Sequence, residues 1–308
     1  MIQIIGAGAI GCLWASKLLQ AGYSCHIVSR SPLSKNTLQF TDLIGKQHSF
    51  KASHGIHLLD ASQQAEQSGL LVCVKAHQVL SALLQQKELI KPQQPIILMH
   101  NGYGCAEQVV KHFPNNPIIC ATTANASLLT DPLTITHTGA GPSYFGFYPQ
   151  YSQVTQHSQV ESALNSYLFP LLQVMPNAHI SKNIIEKCWL KLIINAVINP
   201  LTAIHQIKNG ELRMPQFAPL IQPLVLEIFA VAEAEQLSFD LNELQETVEN
   251  VIAATADNFS SMNRDIHFNR ETEIEFINGY LIKKAQQHNI ETPILDDLYK
   301  QIKVLENH

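Results

Sequence analysis

The sequence predicts an α/β protein in two parts: a doubly wound, mostly parallel sheet over residues 1–182, then an all-helical domain over 183–308. Three observations carry this expectation. Short Val-, Ile- and Leu-rich strands alternate with helix-compatible segments in the first half, a glycine turn GAGAIG follows the first strand, and strand signals stop near Asn183. Strands that are apolar throughout, without alternation, suit a parallel sheet covered on both faces.

In chain order, IQIIG at 2–6 reads as the first strand, a helix follows over 9–21, and SCHIVS at 24–29 is the second strand. LLVCVK (70–75), PIILMH (95–100) and PIICATT (117–123) continue the sheet. The stretches 133–138 and 143–148 read as a hairpin joined by GAGP, closing the domain's edge. Beyond the boundary the periodicity predicts helices over 183–199, 215–237, 241–262 and 268–288. Pro200, Asn209-Gly210, Pro215 and Pro293 punctuate them.

With 308 residues there is room for two cores, and charged residues are only 15% with a net charge of −5. No basic cluster points to a nucleic acid, and no cationic amphipathic segment points to a membrane surface. The six cysteines, Cys12, Cys25, Cys73, Cys105, Cys120 and Cys188, form no CxxC pair and several sit in apolar runs, which suits a reducing cytoplasm. A strand beginning at Ile2 leaves no room for a signal peptide, and charges, Asn or Pro interrupt the apolar stretches before a bilayer span. The expectation is a cytoplasmic protein acting on a small molecule. Its oligomeric state stays open, a homodimer included.

GAGAIG at 6–11 fits G-x-G-x-x-G in the context that gives the motif meaning, between a strand and a helix. Gly6 allows the tight turn, Gly8 lets the backbone approach a pyrophosphate, and Gly11 permits close packing of helix on strand. The amides of Ala9, Ile10 and Gly11 then open the helix toward the phosphates. At the end of the second strand, where a free ribose calls for an acid, stands Ser29-Arg30. A guanidinium suits a 2′-phosphate, so NADP(H) is favoured over NAD(H). Lys75 lies on the same carboxyl edge. Asn101-Gly102 is either a plain turn or a ligand-edge loop, and pattern alone does not separate the two.

In CWLKLIINAVINPLTA at 188–203, Lys191, Asn195 and Asn199 recur every four residues. On a helix they drift only about 40° per step and form one polar stripe. A lysine held among apolar residues has its pKa lowered by desolvation, and can protonate a carbonyl oxygen as hydride reaches the carbon. The same pattern also fits a snorkelling lysine, a packing amide and a cap before Pro200. Other candidates fall away. His54 and His57 lack further ligands, so no metal is assigned. Cys105 suits a core filler, and Ser260-Ser261 lacks a nucleophile elbow.

Taken together, GAGAIG, VKAHQ (74–78), HNG (100–102), WLKLIINAVINPLTA (189–203), NGEL (209–212), NFSSM (258–262) and TEIEFINGY (272–280) resemble the ketopantoate reductases along nearly the whole chain. The resemblance implies a Rossmann-type cofactor domain, a site between the two domains, and NADPH-dependent reduction of 2-dehydropantoate to (R)-pantoate. It implies Lys191 as general acid and Glu273 as the carboxylate engaging the substrate; spacing alone leaves Glu271 and Glu275 equally eligible. Asn195, Asn199, Asn258 and Ser261 fall on its substrate positions, and Arg30, Lys75 and Gln78 on its cofactor side, with Asn101 counted on both. Asn258 and Ser261, three apart, are expected on one helical face. The 40–60 and 121–130 segments depart from the family pattern. A same-fold reductase of another 2-oxo acid or imine, or a non-catalytic NADP(H)-binding sensor, are the competing readings.

Overall fold

The computed structural model describes residues 2–30, 34–51, 56–60, 69–149 and 157–307. His54 lies outside them. The chain forms two compact units: Met1–His100 with Cys105–Lys187, and Asn101–Gly104 with Cys188–His308.

The first unit holds β1 (Ile2–Ile5), α1 (Ala9–Gln20), β2 (Cys25–Ser29), β3 (Thr37–Thr41), β4 (Gln47–Lys51), β5 (Ile56–Asp60), β6 (Leu70–Val72) and α2 (Ala76–Gln85). There follow β7 (Ile96–Met99), α3 (Cys105–His112), β8 (Ile118–Thr123), β9 (Ala126–Asp131), β10 (Thr134–Gly139), β11 (Ser143–Phe147), α4 (His157–Val174) and β12 (Ala178–Ile180). The main sheet has the order β12-β11-β8-β7-β6-β1-β2-β5. The six strands from β5 to β8 run parallel, while β11 is antiparallel to β8. From β1 the chain winds outward through β2 to β5, returns to β6 beside β1, and winds outward again through β7 and β8. That reversal between β1 and β6 is a topological switch point, whose carboxyl edge opens a crevice.

The structure corrects the hairpin expected from 133–138 and 143–148. β10 and β11 belong to different sheets: β11 joins the main sheet, whereas β10 lies between β3 and β9 in a four-stranded sheet of order β4-β3-β10-β9. The connecting GAGP is a crossover held by neighbours, because the Ala124 N–H donates to the Pro142 carbonyl at 2.8 Å. The Asn125 Nδ2 likewise donates to the Gly141 carbonyl at 2.8 Å. A Cβ on Gly141 would lie 2.6 Å from that of Ala124, so glycine is needed at this crossing. The two segments that depart from the family pattern thus largely share one small sheet. Its Leu38, Phe40, Leu133 and Ile135 join Leu13, Trp14 and Leu18 of α1 in one core.

The second unit is helical: α5 (Ile184–His205, belonging here from Cys188 on), α6 (Ala218–Ala234), α7 (Leu241–Ala254), α8 (Ser261–His267), α9 (Asn278–Gln287) and α10 (Pro293–Glu306). Three expectations are corrected. First, α5 does not stop at 199 but passes through Pro200. Proline removes the donor that the Ala196 carbonyl would use, and the Asn278 side-chain amide donates to that oxygen instead, at 3.3 Å. Second, the helix expected over 241–262 breaks after Ala254, where the Gly210 N–H donates to the Ala256 carbonyl at 3.1 Å. A new helix, α8, then starts behind Ser260, whose hydroxyl accepts the Asn263 N–H at 3.1 Å and the Thr202 hydroxyl at 2.7 Å. Third, 268–277 is not helical apart from a single 3₁₀ turn, Ile274–Phe276.

Pro293 opens α10 rather than merely breaking the chain, as suits the first turn of a helix. The Glu227 carboxylate accepts the Ile294 and Leu295 N–H groups, both at 3.0 Å. Because α5 continues past Pro200, it and the stretch Pro215–Ala234 are each long and apolar enough to cross a bilayer, by length and composition alone. In the fold, α5 is a core helix that buries Trp189, Leu192, Ile193, Ala196, Val197, Ile198 and Leu201.

Candidate functional site

In the first unit, candidate ligand groups gather at the carboxyl ends of β1, β2 and β6. Gly6 takes φ +110°, and a Cβ there would lie 2.7 Å from the Cys73 carbonyl oxygen. A Cβ on Gly11 would lie 2.0 Å from the Gly6 oxygen, so these two glycines are demanded by the protein itself. Gly8 is different: its nearest neighbour would be the Cys73 oxygen at 4.0 Å. What Gly8 keeps clear is space outside the fold, as a cradle for a phosphate requires.

Gly8 is also the N-cap of α1, with no side-chain cap and no acid in the first turn. The first helical bond runs from Cys12 N–H to the Gly8 carbonyl at 2.9 Å, so the amides of Ala9, Ile10 and Gly11 precede the ladder. Free amides and the positive end of the helix dipole make an anion site. Lys75 is the N-cap of α2, where its carbonyl accepts the Gln78 N–H at 2.8 Å. Arg30 follows β2 and is exposed. The set fits a dinucleotide: amides for the pyrophosphate, and cations on the neighbouring strand ends.

In the second unit, α5 presents Lys191 and Asn195 half-buried and Asn199 buried, 4% exposed. Desolvation lowers the Lys191 pKa; the Glu273 carboxylate, and to a lesser degree the Cys188 thiol, partly oppose this. Burial pushes the Cys188 thiol up to about 12, with Lys191 acting against it. The Asn199 Nδ2 is buried and meets no hydrogen-bond acceptor among the described residues. Such an amide forfeits about 1–3 kcal/mol unless a ligand supplies the oxygen.

The structure separates Glu273 from its neighbours. Glu273 is buried, 6% exposed, and its Oε2 accepts the Asn101 side-chain amide at 3.0 Å. Glu275 is exposed and accepts the Tyr299 hydroxyl at 2.6 Å; Glu271 is exposed as well. Asn101 is held in place by its own loop. The Tyr103 N–H donates to the Phe276 carbonyl at 2.8 Å, and Gly102, at φ +78°, leaves no room for a Cβ, which would lie 2.6 Å from that oxygen. Tyr103, Trp189 and Tyr280 pack as a ring cluster, with centroids 5.1 to 5.9 Å apart. The Asn101-Gly102 pair is therefore a fixed loop on the Glu273 segment. Sequence reading missed these three aromatics, although Trp189 stands two residues before the lysine.

Asn258 and Ser261 do not share a helical face. Asn258 lies in the loop between α7 and α8, where its carbonyl accepts the Asn209 N–H at 2.9 Å, and Ser261 is the first residue of α8. Both are exposed. The helix break after Ala254 undoes the spacing argument that paired them.

Residues 2–150 match the family model described as ketopantoate reductase PanE/ApbA, and residues 183–306 match its C-terminal counterpart. A Vibrio cholerae protein named 2-dehydropantoate 2-reductase is 36% identical over 305 residues, which span 99% of this chain and 97% of that one. Among solved structures, the probable 2-dehydropantoate 2-reductase panE from Bacillus subtilis is 26% identical, with a TM-score of 0.78 and 99% of each chain covered. A D-mandelate dehydrogenase solved with NADH and anilino(oxo)acetate has a TM-score of 0.85 at 23% identity, covering 100% of this chain and 99% of its own, a likeness of fold. With relatives matched from end to end, the chain belongs to the ketopantoate reductase family and is an oxidoreductase with a nicotinamide cofactor.

Proposed function

We propose that the protein reduces 2-dehydropantoate to (R)-pantoate with NADPH, the reductive step that feeds pantothenate and coenzyme A synthesis, in the cytoplasm. The observation that carries this reading is the buried Glu273 carboxylate, held by Asn101 within the second unit and acting electrostatically on the Lys191 ammonium. A keto oxygen gaining negative charge needs a proton donor beside it, and a desolvated lysine supplies one.

When bound, the reduced nicotinamide supplies a hydride from C4 to the C2 carbonyl of the substrate. Lys191 delivers the proton to the oxygen, so the ketone becomes a secondary alcohol and one oxidised nucleotide leaves. Glu273 accepts a hydrogen bond from substrate or product hydroxyl, and its charge keeps the ammonium protonated against desolvation. Asn195, Asn199, Asn258 and Ser261 hold the substrate, with the Asn199 Nδ2 as a buried donor for one of its oxygens. The first unit binds the nucleotide through the turn 6–11, Lys75 and Gln78, and Arg30 reads the 2′-phosphate. Asn101 serves both the nicotinamide side and the substrate side.

The test is NADPH oxidation, followed by absorbance, with 2-dehydropantoate and a panel of other 2-oxo acids and imines. Fastest turnover per KM with 2-dehydropantoate is expected. A preference for another acid would move the assignment to a sister reductase, and nucleotide binding without oxidation of any substrate would make the protein a sensor. Sedimentation of the same preparation decides between a monomer and a homodimer.

A further inference from the structure

We infer that Asn278 is a positioning residue that keeps the Lys191 helix in register with Glu273, acting through the carbonyl that Pro200 leaves without its helical donor. This rests on the roles just proposed for Lys191 and Glu273. A proline inside a helix removes the bond to the fourth residue before it, and a buried carbonyl without a donor is destabilising. Here that carbonyl is Ala196, and both Ala196 and Asn278 are 0% exposed, so bulk water does not reach the gap. The donor comes from another element: Asn278 Nδ2 lies 3.3 Å from the Ala196 oxygen.

The placement of the two ends gives the bond its meaning. Ala196 belongs to the turns of α5 that carry the polar stripe, one residue past Asn195 and between Lys191 and Asn199 in sequence. Asn278 opens α9 directly behind Glu273 and its 3₁₀ turn Ile274–Phe276. One side-chain bond therefore ties the backbone that carries the ammonium to the segment that carries the carboxylate. A helix with an ordinary residue at 200 would close its own ladder without the Asn278 amide; proline makes the helix dependent on that segment.

The experiment compares Asn278→Ala, Pro200→Ala and the double variant by kcat and KM for 2-dehydropantoate, NADPH affinity by fluorescence titration, and thermal melting. Pro200→Ala restores an N–H that can bond to Ala196 within the helix, which makes the Asn278 amide redundant. Asn278→Ala is expected to lose about 10–100-fold in kcat, as displacement of a reacting group by a fraction of an ångström to an ångström does. Its NADPH affinity should stay unchanged, and the double variant should regain most of the lost turnover. An Asn278→Ala protein that melts lower but turns over normally overturns the proposal, as does a double variant no better than the single one. If Asn278→Ala does not fold, the double variant decides: folded and active supports the role, unfolded overturns it. Lys191→Ala measured alongside separates the two failures. Full turnover there removes the proposed site itself, whereas a loss at Lys191 with none at Asn278 removes only the positioning role.

Discussion

The side-chain amide of Asn101 donates to the Glu273 carboxylate at 3.0 Å, joining residues 172 positions apart in the chain. Glu273 is almost fully buried, and a buried carboxylate is tolerable only where donors and positive charge meet it. Asn101 supplies the first, and Lys191 lies within electrostatic reach to supply the second. The proposed site therefore couples all three groups.

Replacing Asn101 by Ala therefore strips a charge-assisted hydrogen bond, whose removal is worth roughly 1.5–3 kcal/mol. The expected outcome is a KM for the 2-oxo acid raised about 10–100-fold by the same interaction. Glu273→Gln, which keeps shape but drops charge, should also lower the pH at which Lys191 loses its proton, because the carboxylate raises that pKa. Steady-state kinetics across pH checks both. An Asn101→Ala enzyme with wild-type KM and kcat would show that the bond is only structural.

Lys191 gives the sharpest signature. In the proposed role of general acid it works protonated, and burial places its pKa below the ordinary lysine value. Turnover should thus fall as pH rises through that lowered pKa, and stay high below it. Lys191→Ala should lose roughly 10²–10⁴-fold in kcat, the usual worth of a positioned acid, and the alkaline limb should vanish with it. Lys191→Arg keeps the charge but cannot release a proton in this range, so it should stay slow at every pH. An alkaline limb that persists in Lys191→Ala would belong to another group.

How much of this was legible beforehand varies with the physics involved. The glycine turn, the parallel strands and the spacing of the polar stripe on α5 were readable because each is set by residues close together in the chain. The crossover at GAGP was not, since whether two strands pair depends on Ala124 and Asn125, which no local pattern links to it. Pro200 misled for a related reason: the rule that proline ends a helix holds unless a remote donor replaces its N–H, and Asn278 does so. Spacing could not tell Glu273 from Glu271 and Glu275, because what sets it apart is burial and the Asn101 loop. The same limit paired Asn258 with Ser261 across a helix end that Gly210 and Ser260 create.

The glycine turn offers a test that separates packing from ligand binding. Gly6→Ala must both adopt φ +110° and push against the Cys73 carbonyl at 2.7 Å, so it should lower the melting temperature strongly. Gly8→Ala meets protein only at 4.0 Å, so the fold should survive with a near-normal melt. Its methyl nevertheless occupies the space a pyrophosphate would approach, and NADPH affinity should drop by about an order of magnitude or more, as an overpacked contact of 1–3 kcal/mol implies. Calorimetry and fluorescence titration read the two effects. Gly8→Ala binding NADPH normally would move the nucleotide away from this turn.

The proposed role of Arg30 is to set which nucleotide is preferred. It is exposed at the end of β2, next to the strand that carries the glycine turn, where a fold selecting a free ribose would carry an acid. A guanidinium on a phosphate forms a charge-assisted and often bidentate contact, so Arg30→Ala should weaken NADPH by roughly 1.5–3 kcal/mol, about 10–100-fold. NADH, lacking the phosphate, should bind the variant and the parent alike. The contact is also screened by salt, so the parent's advantage for NADPH should shrink as ionic strength rises while that of the variant stays flat. Titrations of both nucleotides at low and high salt test this, and equal losses for NADPH and NADH in Arg30→Ala would place the 2′-phosphate elsewhere.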